Sequence, residues 1–207
     1  MNFKRTALIT LAALGLAASQ PTLATTMTDN TGEALAGYAP LMFLRAESFT
    51  VATDQDYMLE DVQIKLIAPP TSGLFARIYS NSGSNPGTLL EQLSLGSFNP
   101  TSSLLAFAST GLDLTAGATY WVVVGGDPTG ATGWDTTFST NQTSVGNWSI
   151  GNNNRLSFNS GASWGTYGGV EQMAIDATPA AVPEPTTLAL LGLGAVGMRL
   201  TRRRRAV

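Results

Sequence analysis

Two residue types that build many active sites are missing from the 207-residue chain, which has no cysteine and no histidine. Without cysteine, disulfides and thiolate metal sites are excluded. Without histidine, so are histidine-ligated zinc and the Cys-His and Ser-His forms of nucleophilic catalysis. Only carboxylate chemistry and oxygen-ligand metals remain open. A folded domain in this chain must be stabilised by burying apolar surface alone, which is feasible at about 150 residues.

Positive charge is scarce between the termini. Only four of the 11 basic residues lie there, against 13 of the 14 acidic residues, so this middle part has a net charge of −9. The four are Arg45, Lys65, Arg77 and Arg155. Nucleic acids and anionic membrane surfaces both require a basic footprint on the protein, so the charge balance argues against either as a partner.

Residues 1–24 have the pattern of a signal peptide for export. Lys4 and Arg5 form a basic start, and an apolar segment at 7–18 predicts a signal helix. Small residues then offer two cleavage patterns, Ala17-x-Ser19 and Thr22-x-Ala24. Charge, length and the small-residue ending together favour a signal peptide over a structural helix.

The C-terminus consists of three blocks. A linker at 179–185 ends in Pro183, Glu184 and Pro185, and these prolines prevent helix before the apolar run. Residues 186–201 predict a transmembrane helix of about 24 Å, and bilayer thinning or snorkelling arginines can match it to a core of about 30 Å. The basic tail at 202–207 holds the end of the chain on the cytoplasmic side through Arg202, Arg203, Arg204 and Arg205.

With Pro183, Glu184 and Pro185 before an apolar segment and an arginine stop, the tail resembles the PEP-CTERM sorting signal of Gram-negative bacteria. The resemblance implies that an exosortase processes the tail after a transient stay in the inner membrane. The protein would then reach the outer surface or the extracellular matrix, and the three signature residues would be substrate residues of that enzyme. An ordinary single-pass anchor is the alternative.

The middle of the chain predicts an all-β domain, because short β-rich runs alternate with Gly, Ser, Thr and Asn and no stretch has helical periodicity. In the clearest strand, Val62, Ile64 and Leu66 alternate with polar residues. The interpretation is an antiparallel β-sandwich, jelly-roll-like, over 46–178, preceded by an N-terminal segment at 25–45. The predicted strands are 46–51, 59–67, 74–80, 89–95, 104–109, 120–124, 134–138, 156–158 and 170–175.

Residues 45–127 also resemble the choice-of-anchor domain of type R, a bacterial surface module. The resemblance implies a surface architecture but no ligand. It is carried by Glu47-Ser48-Phe49-Thr50, the strand at 57–66, Ile78-Tyr79-Ser80-Asn81, Asn85-Pro86-Gly87-Thr88-Leu89-Leu90 and Thr119-Tyr120-Trp121-Val122-Val123.

Carboxylates offer two kinds of candidate site. Asp54, Asp56, Glu60 and Asp61 could supply oxygen ligands to calcium, but no EF-hand spacing is present, so a solvated turn between strands is the favoured interpretation. Two carboxylates could also act as a glycosidase pair, but Asp113, Asp127 and Asp135 are too scattered to define one.

Aromatic residues in the Asn-rich stretch suggest a glycan-binding surface. Trp134, Trp148, Trp164 and Tyr167 could stack on sugar rings while neighbouring amides bind hydroxyl groups. Packing in the sandwich core is the favoured interpretation for these rings, as it is for Trp121, and the glycan surface is the alternative.

The function predicted from these features is that of a non-enzymatic exported protein of the cell surface or matrix, associated with exopolysaccharide or biofilm. The sequence indicates no cofactor. A secreted carboxylate-dependent glycan hydrolase or lyase, and a calcium-dependent adhesin, are the alternatives.

Replacing Pro183-Glu184-Pro185 with Ala-Ala-Ala should leave a full-length protein in the inner membrane, because the recognition segment is lost while the apolar anchor stays. Fractionation and immunoblotting of cells producing the variant would measure this. Normal processing and surface delivery would contradict the sorting hypothesis.

Overall fold

The computed structural model describes residues 23–70, 73–152 and 154–180. The predicted signal helix, the Pro183-Glu184-Pro185 motif, the C-terminal helix and the four terminal arginines lie outside these residues. Within them there are 17 strands and no helix, so the all-β prediction is confirmed. It follows that no helix able to cross a membrane occurs in the described part.

The strands are β1 (Thr25–Asp29), β2 (Gly37–Pro40), β3 (Leu44–Thr50), β4 (Tyr57–Lys65), β5 (Phe75–Ser82), β6 (Asn85–Gln92), β7 (Ser94–Asn99), β8 (Leu104–Ala108), β9 (Asp113–Leu114), β10 (Thr119–Gly125), β11 (Gly133–Thr137), β12 (Thr143–Ser144), β13 (Ser149–Ile150), β14 (Arg155–Ser157), β15 (Gly165–Thr166), β16 (Val170–Glu171) and β17 (Met173–Pro179).

The strands form two large antiparallel sheets and one small one. Sheet 1 has the order β12-β1-β17-β4-β8-β7, with β9 also on β4. Sheet 2 has the order β15-β14-β3-β10-β5-β6, with β13 also on β3, and the small sheet is β16-β11-β2. The chain passes repeatedly between the two large sheets. The inner orders β1-β17-β4-β8 and β3-β10-β5-β6 give the connectivity of a jelly roll.

The core lies between sheets 1 and 2. Side chains alternate along each strand, so every second residue points into this space. On β4, Val62 and Ile64 are fully buried, and on β5, Ala76 and Ile78 are fully buried, as their sequence patterns predicted. β10 is buried on both faces, which explains its unbroken apolar sequence. Its Tyr120, Val122 and Val124 belong to the main core, whereas Trp121 and Val123 join Ala46 in an outer cluster on the other face of sheet 2.

The packed domain begins earlier than the sequence pattern predicted. β1 and β2 lie in the segment 25–45 that was set apart from the sandwich, yet β1 pairs with β17 and β12, and β2 pairs with β11. The apolar pattern of β1 is weak, since Met27 is its only large apolar residue. Pairing with the C-terminal strand β17, rather than local periodicity, makes it a strand.

The predicted strand 89–95 is two strands in the structure. β6 ends sheet 2 and β7 ends sheet 1, and the buried Leu93 lies between them, where the chain passes from one sheet to the other. The turn before β6 is tighter than predicted. Only Gly83 and Ser84 separate β5 from β6, and both have positive φ (56° and 66°), as a two-residue hairpin turn requires.

Ile64→Ala should lower the free energy of unfolding by about 2–5 kcal/mol, because the fully buried side chain would leave a cavity between the sheets. Urea unfolding of the exported domain would measure this. Ile67→Ala is the matched control, since Ile67 is 46% exposed, and it should cost less than about 1 kcal/mol. Equal losses in the two variants would contradict the assigned facing of β4.

Candidate functional site

Two of the four rings predicted for a glycan surface lie in the core, so that prediction is wrong for Trp134 and Trp148. Trp134 is fully buried and donates its indole N–H to the carbonyl of Gln172 at 2.7 Å. Trp148 is 2% exposed, stacked on Phe49 with ring centroids 6.2 Å apart and edge-on to Tyr57 at 5.0 Å. A large apolar ring is stabilised most where both of its faces are covered, which the sandwich interior provides.

The other two rings lie beside β15, at the edge of sheet 2. Trp164 is partly buried and packs against the outer cluster of Ala46, Trp121 and Val123. Tyr167 is 47% exposed, and the guanidinium of the buried Arg45 lies 4.4 Å from its ring centroid. The aromatic surface predicted from the sequence is thus reduced to these two residues.

Trp164 lines a surface cleft of about 370 Å³, here called the aromatic cleft. Sequence analysis missed its second ring, Phe158, which is 72% exposed and edge-on to Phe43 at 4.7 Å. Its position among Asn, Ser and Gly residues was the signal that could have found it. The lining residues are Leu156, Phe158, Asn159, Ser163, Trp164, Gly165 and Thr166.

The loop that carries these rings is held by its own short polar side chains. The Asn159 carboxamide accepts the backbone N–H of Ser163 at 2.9 Å and donates to its hydroxyl at 2.8 Å. The Ser157 hydroxyl oxygen accepts the N–H of Gly161 at 2.9 Å. The Asn- and Ser-rich sequence therefore gives an ordered turn that places Phe158 and Trp164 on one cleft.

A second cleft, the tryptophan cleft, lies over Trp121 on the outer face of sheet 2 and has a volume of about 320 Å³. The indole N–H of Trp121 donates to Asn81 at 2.9 Å, and the guanidinium of Arg155 lies 5.5 Å from the ring. Arg155 is held in turn by the carbonyl of Ser84 and by Asn85, at 3.0 and 2.9 Å. The cleft is lined by Ser48, Thr50, Asn81, Ser84, Thr119, Trp121, Gly151, Asn152 and Arg155.

A third cleft, the amide cleft, has a volume of about 300 Å³ and shares Gly151 and Asn152 with the tryptophan cleft. Gln142 fixes one wall, because its side-chain oxygen accepts the N–H of Ile150 at 2.6 Å and the hydroxyl of Thr28 at 3.0 Å. The lining is Asn30, Ser139, Thr140, Asn141, Gln142, Ser149, Ile150, Gly151, Asn152 and Val170.

Two buried glutamates lie behind the point where these clefts meet. Glu47 and Glu171 are both fully buried. Glu47 accepts the N–H of Ser48 at 2.9 Å and the N–H of Glu171 at 3.1 Å, and Glu171 accepts the Asn154 carboxamide at 3.0 Å. A Cβ at Gly151 would lie 3.3 Å from the Glu47 carboxyl and would collide with the Ser48 hydroxyl. The wall that the amide and tryptophan clefts share at this position therefore requires glycine.

Burial governs the protonation of this pair. Burial raises the pKa of Glu47 to about 8, because desolvation disfavours the charged carboxylate. The backbone N–H groups of Glu171 and Ser48 and the charge of Arg155 lower this pKa, but their effect is smaller than that of burial. Burial and the nearby Glu47 raise the pKa of Glu171 well above its usual range, although Arg45 and Asn154 act in the opposite direction. Glu47 is therefore neutral at pH 7 in the folded protein.

Three of the four carboxylates considered for calcium accept hydrogen bonds from different parts of the domain. Asp54 accepts the Tyr57 hydroxyl at 3.2 Å, Asp56 accepts the N–H of Ala116 at 2.8 Å, and Glu60 accepts the Thr178 hydroxyl at 2.9 Å. Asp61 faces Asp176 across β4 and β17, and burial together with the Asp176 carboxylate raises its pKa to about 6. Within the described ranges, no group of three or more acidic residues could hold a metal ion.

Asp113, Asp127 and Asp135, the other carboxylates considered for catalysis, lie on β9, in a turn and on β11. Asp127 accepts the N–H groups of Thr129 and Thr132 at 3.0 and 2.6 Å, which identifies it as a residue that orders its own turn. The linings of the aromatic, tryptophan and amide clefts contain none of these aspartates and no glutamate.

The comparison with protein families concerns the C-terminus. Residues 181–205 match the PEP-CTERM protein-sorting motif. This PEP-CTERM tail marks the chain as an exported protein that is anchored transiently in a membrane and processed by an exosortase. The match lies outside the sandwich and assigns no ligand to it. No curated protein and no solved structure matches the chain.

The domain should become less stable as the pH rises from 5 to 8. The pKa of Glu47 is about 8 in the folded protein, against an ordinary value of 4.5, so the folded state binds more protons than the unfolded state between these pH values. Its contribution is complete below pH 4.5 and is lost as the pH rises through 8. Each unit by which the pKa is raised corresponds to about 1.4 kcal/mol.

Urea unfolding at each pH unit from 5 to 8 would measure this decline. Glu47→Gln, which has a neutral side chain of similar shape, should make this decline smaller, and the raised pKa values of Glu171 and Asp61 should account for the part that remains. A wild-type profile that is level, or that rises toward pH 8, would contradict the assigned protonation of Glu47.

Proposed function

We propose that the exported domain is a non-enzymatic glycan-binding module that associates with exopolysaccharide at the cell surface or in a biofilm matrix. The observation that carries this proposal is the aromatic cleft. There, the rings of Phe158 and Trp164 share a wall with Asn159, Ser163 and Thr166. Flat apolar rings cover the C–H faces of sugars, while amides and hydroxyls bind sugar hydroxyl groups.

A non-catalytic role is supported by the position of the carboxylates. Most glycoside hydrolases use two carboxyl groups on either side of the scissile bond, about 5–9.5 Å apart. The linings of the aromatic, tryptophan and amide clefts contain no Asp or Glu. Glu47 and Glu171 are close to each other but fully buried, so a polymer would not reach them without opening the sandwich.

The cellular position follows from the two ends of the chain. The signal peptide would start export, and the PEP-CTERM tail would hold the protein in the inner membrane until an exosortase processes it. The sandwich would then act on the outer surface or in the matrix of a Gram-negative cell. The resemblance to choice-of-anchor surface modules that the sequence of residues 45–127 suggests would fit the same location.

Phe158→Ala should weaken binding to the producing bacterium's exopolysaccharide about tenfold, because one stacking ring contributes about 1–1.5 kcal/mol. Affinity electrophoresis in gels containing the polysaccharide would measure the change. Phe138→Ala is the matched control, since Phe138 is 78% exposed but does not line the aromatic, tryptophan or amide cleft. Equal retardation of the wild type and both variants would contradict a binding role for the aromatic cleft.

A further inference from the structure

We infer that the aromatic, tryptophan and amide clefts form one continuous binding groove, and that its ligand is a linear, uncharged polysaccharide held along several sugar units. This inference rests on the proposed glycan binding and specifies the form of the ligand. An internal stretch of a chain, rather than a terminal sugar, would occupy the groove.

The order of the lining residues along the chain indicates that the three clefts are neighbours. Residues 149–152 and 154–166, here called the edge strip, contribute to all three clefts in sequence. Ser149 and Ile150 line the amide cleft, Gly151 and Asn152 line both the amide and the tryptophan clefts, Arg155 lines the tryptophan cleft, and Leu156 begins the aromatic cleft. The strands β13 and β14 and the β14–β15 hairpin of the edge strip therefore link neighbouring clefts.

The pairing of the edge strip with β3 gives the groove its length. Both β13 and β14 pair antiparallel with β3, with Ser149 opposite Thr50 and Ser157 opposite Leu44. These partners are six residues apart on β3, which corresponds to about 20 Å of strand. The three clefts thus follow one another over a distance that exceeds a single sugar ring.

The tryptophan and aromatic clefts also open on the same face of sheet 2. Arg155 of β14 lies directly opposite Thr166 of β15, so their side chains project to the same side of the sheet. Arg155 lines the tryptophan cleft and Thr166 the aromatic cleft. Trp121 of the tryptophan cleft belongs to the outer cluster, and Trp164 of the aromatic cleft packs against that same cluster, so the two clefts border on one apolar cluster.

The chemistry of the lining indicates an uncharged ligand. The walls consist mainly of amides and hydroxyls, which donate and accept hydrogen bonds as sugar hydroxyls do. Arg155 is the single charged side chain in the three linings, and its guanidinium donates to Ser84, Asn85 and the carbonyl of Asn154. Over longer distances, the net charge of −9 between the termini repels acidic polymers.

The test uses the exported chain and the producing bacterium's own extracellular polysaccharide. Ion exchange separates the polysaccharide into neutral and acidic fractions, and partial hydrolysis yields size-graded oligosaccharides. Isothermal titration should show affinity for neutral oligosaccharides increasing about tenfold or more with length, then levelling off once the chain spans the groove. Raising the salt concentration should leave this affinity unchanged.

Asn141→Ala tests the continuity of the groove from its far end. Asn141 is exposed in the amide cleft, so the variant should bind long oligosaccharides several-fold more weakly and bind the shortest ones as the wild type does. Asn147→Ala is the matched control, because Asn147 is exposed in the same region but outside the three clefts. Unchanged melting temperatures exclude unfolding as the cause.

Three results would overturn the inference. Affinity that does not depend on length would indicate a terminal-sugar site and would leave the proposed glycan binding intact. Preference for the acidic fraction, weakened by salt, would refute an uncharged ligand. If no fraction binds at all, the proposed function fails together with the inference.

Discussion

The pairing of β3 with its neighbours on both sides is the constraint on which the rest of the domain depends. On one side β3 pairs with β10, which brings Phe49 and Tyr120 together in the core, and on the other it pairs with β13 and β14. Because side chains alternate along a strand, the same seven residues serve both faces of sheet 2. Phe49 and Glu47 lie inside the sandwich, whereas Ser48 and Thr50 line the tryptophan cleft.

Stability and surface chemistry are linked through this strand. The domain has no disulfide, so burial between the two large sheets must offset its conformational entropy. Even so, two carboxyl groups and Arg45 are buried at one end of the interior, where desolvation makes charge costly. A neutral Glu47 reduces that cost, and the backbone N–H groups of Ser48 and Glu171 satisfy its oxygens. This end of the core therefore depends on protonation, whereas the apolar end does not.

Residue types alone do not predict which aromatic rings of the candidate site are exposed. Trp134, Trp148, Trp164 and Tyr167 share the same polar, glycine-rich surroundings in the sequence, and nothing local separates buried from exposed rings. Trp134 is buried because β11 pairs with β2 and lies against β4, and Trp148 because it stacks on Phe49, about 100 residues away. Phe158 was not considered in the sequence, although it is 72% exposed, because its place at the end of the predicted strand 156–158 does not show which face it occupies.

By itself, the sequence determined the features that depend on neighbouring residues. These are the PEP-CTERM motif, the all-β class, and the buried faces of β4 and β5, since each follows from local composition or from alternation with a period of two. The tertiary structure decided the features that depend on distant pairing. It made β1 a strand through β17, buried Glu47 against Glu171, buried two tryptophans in the core, and placed residues of the edge strip in three clefts. Long-range contacts set burial, and burial determines both the protonation of a carboxyl group and whether an aromatic ring can reach a ligand.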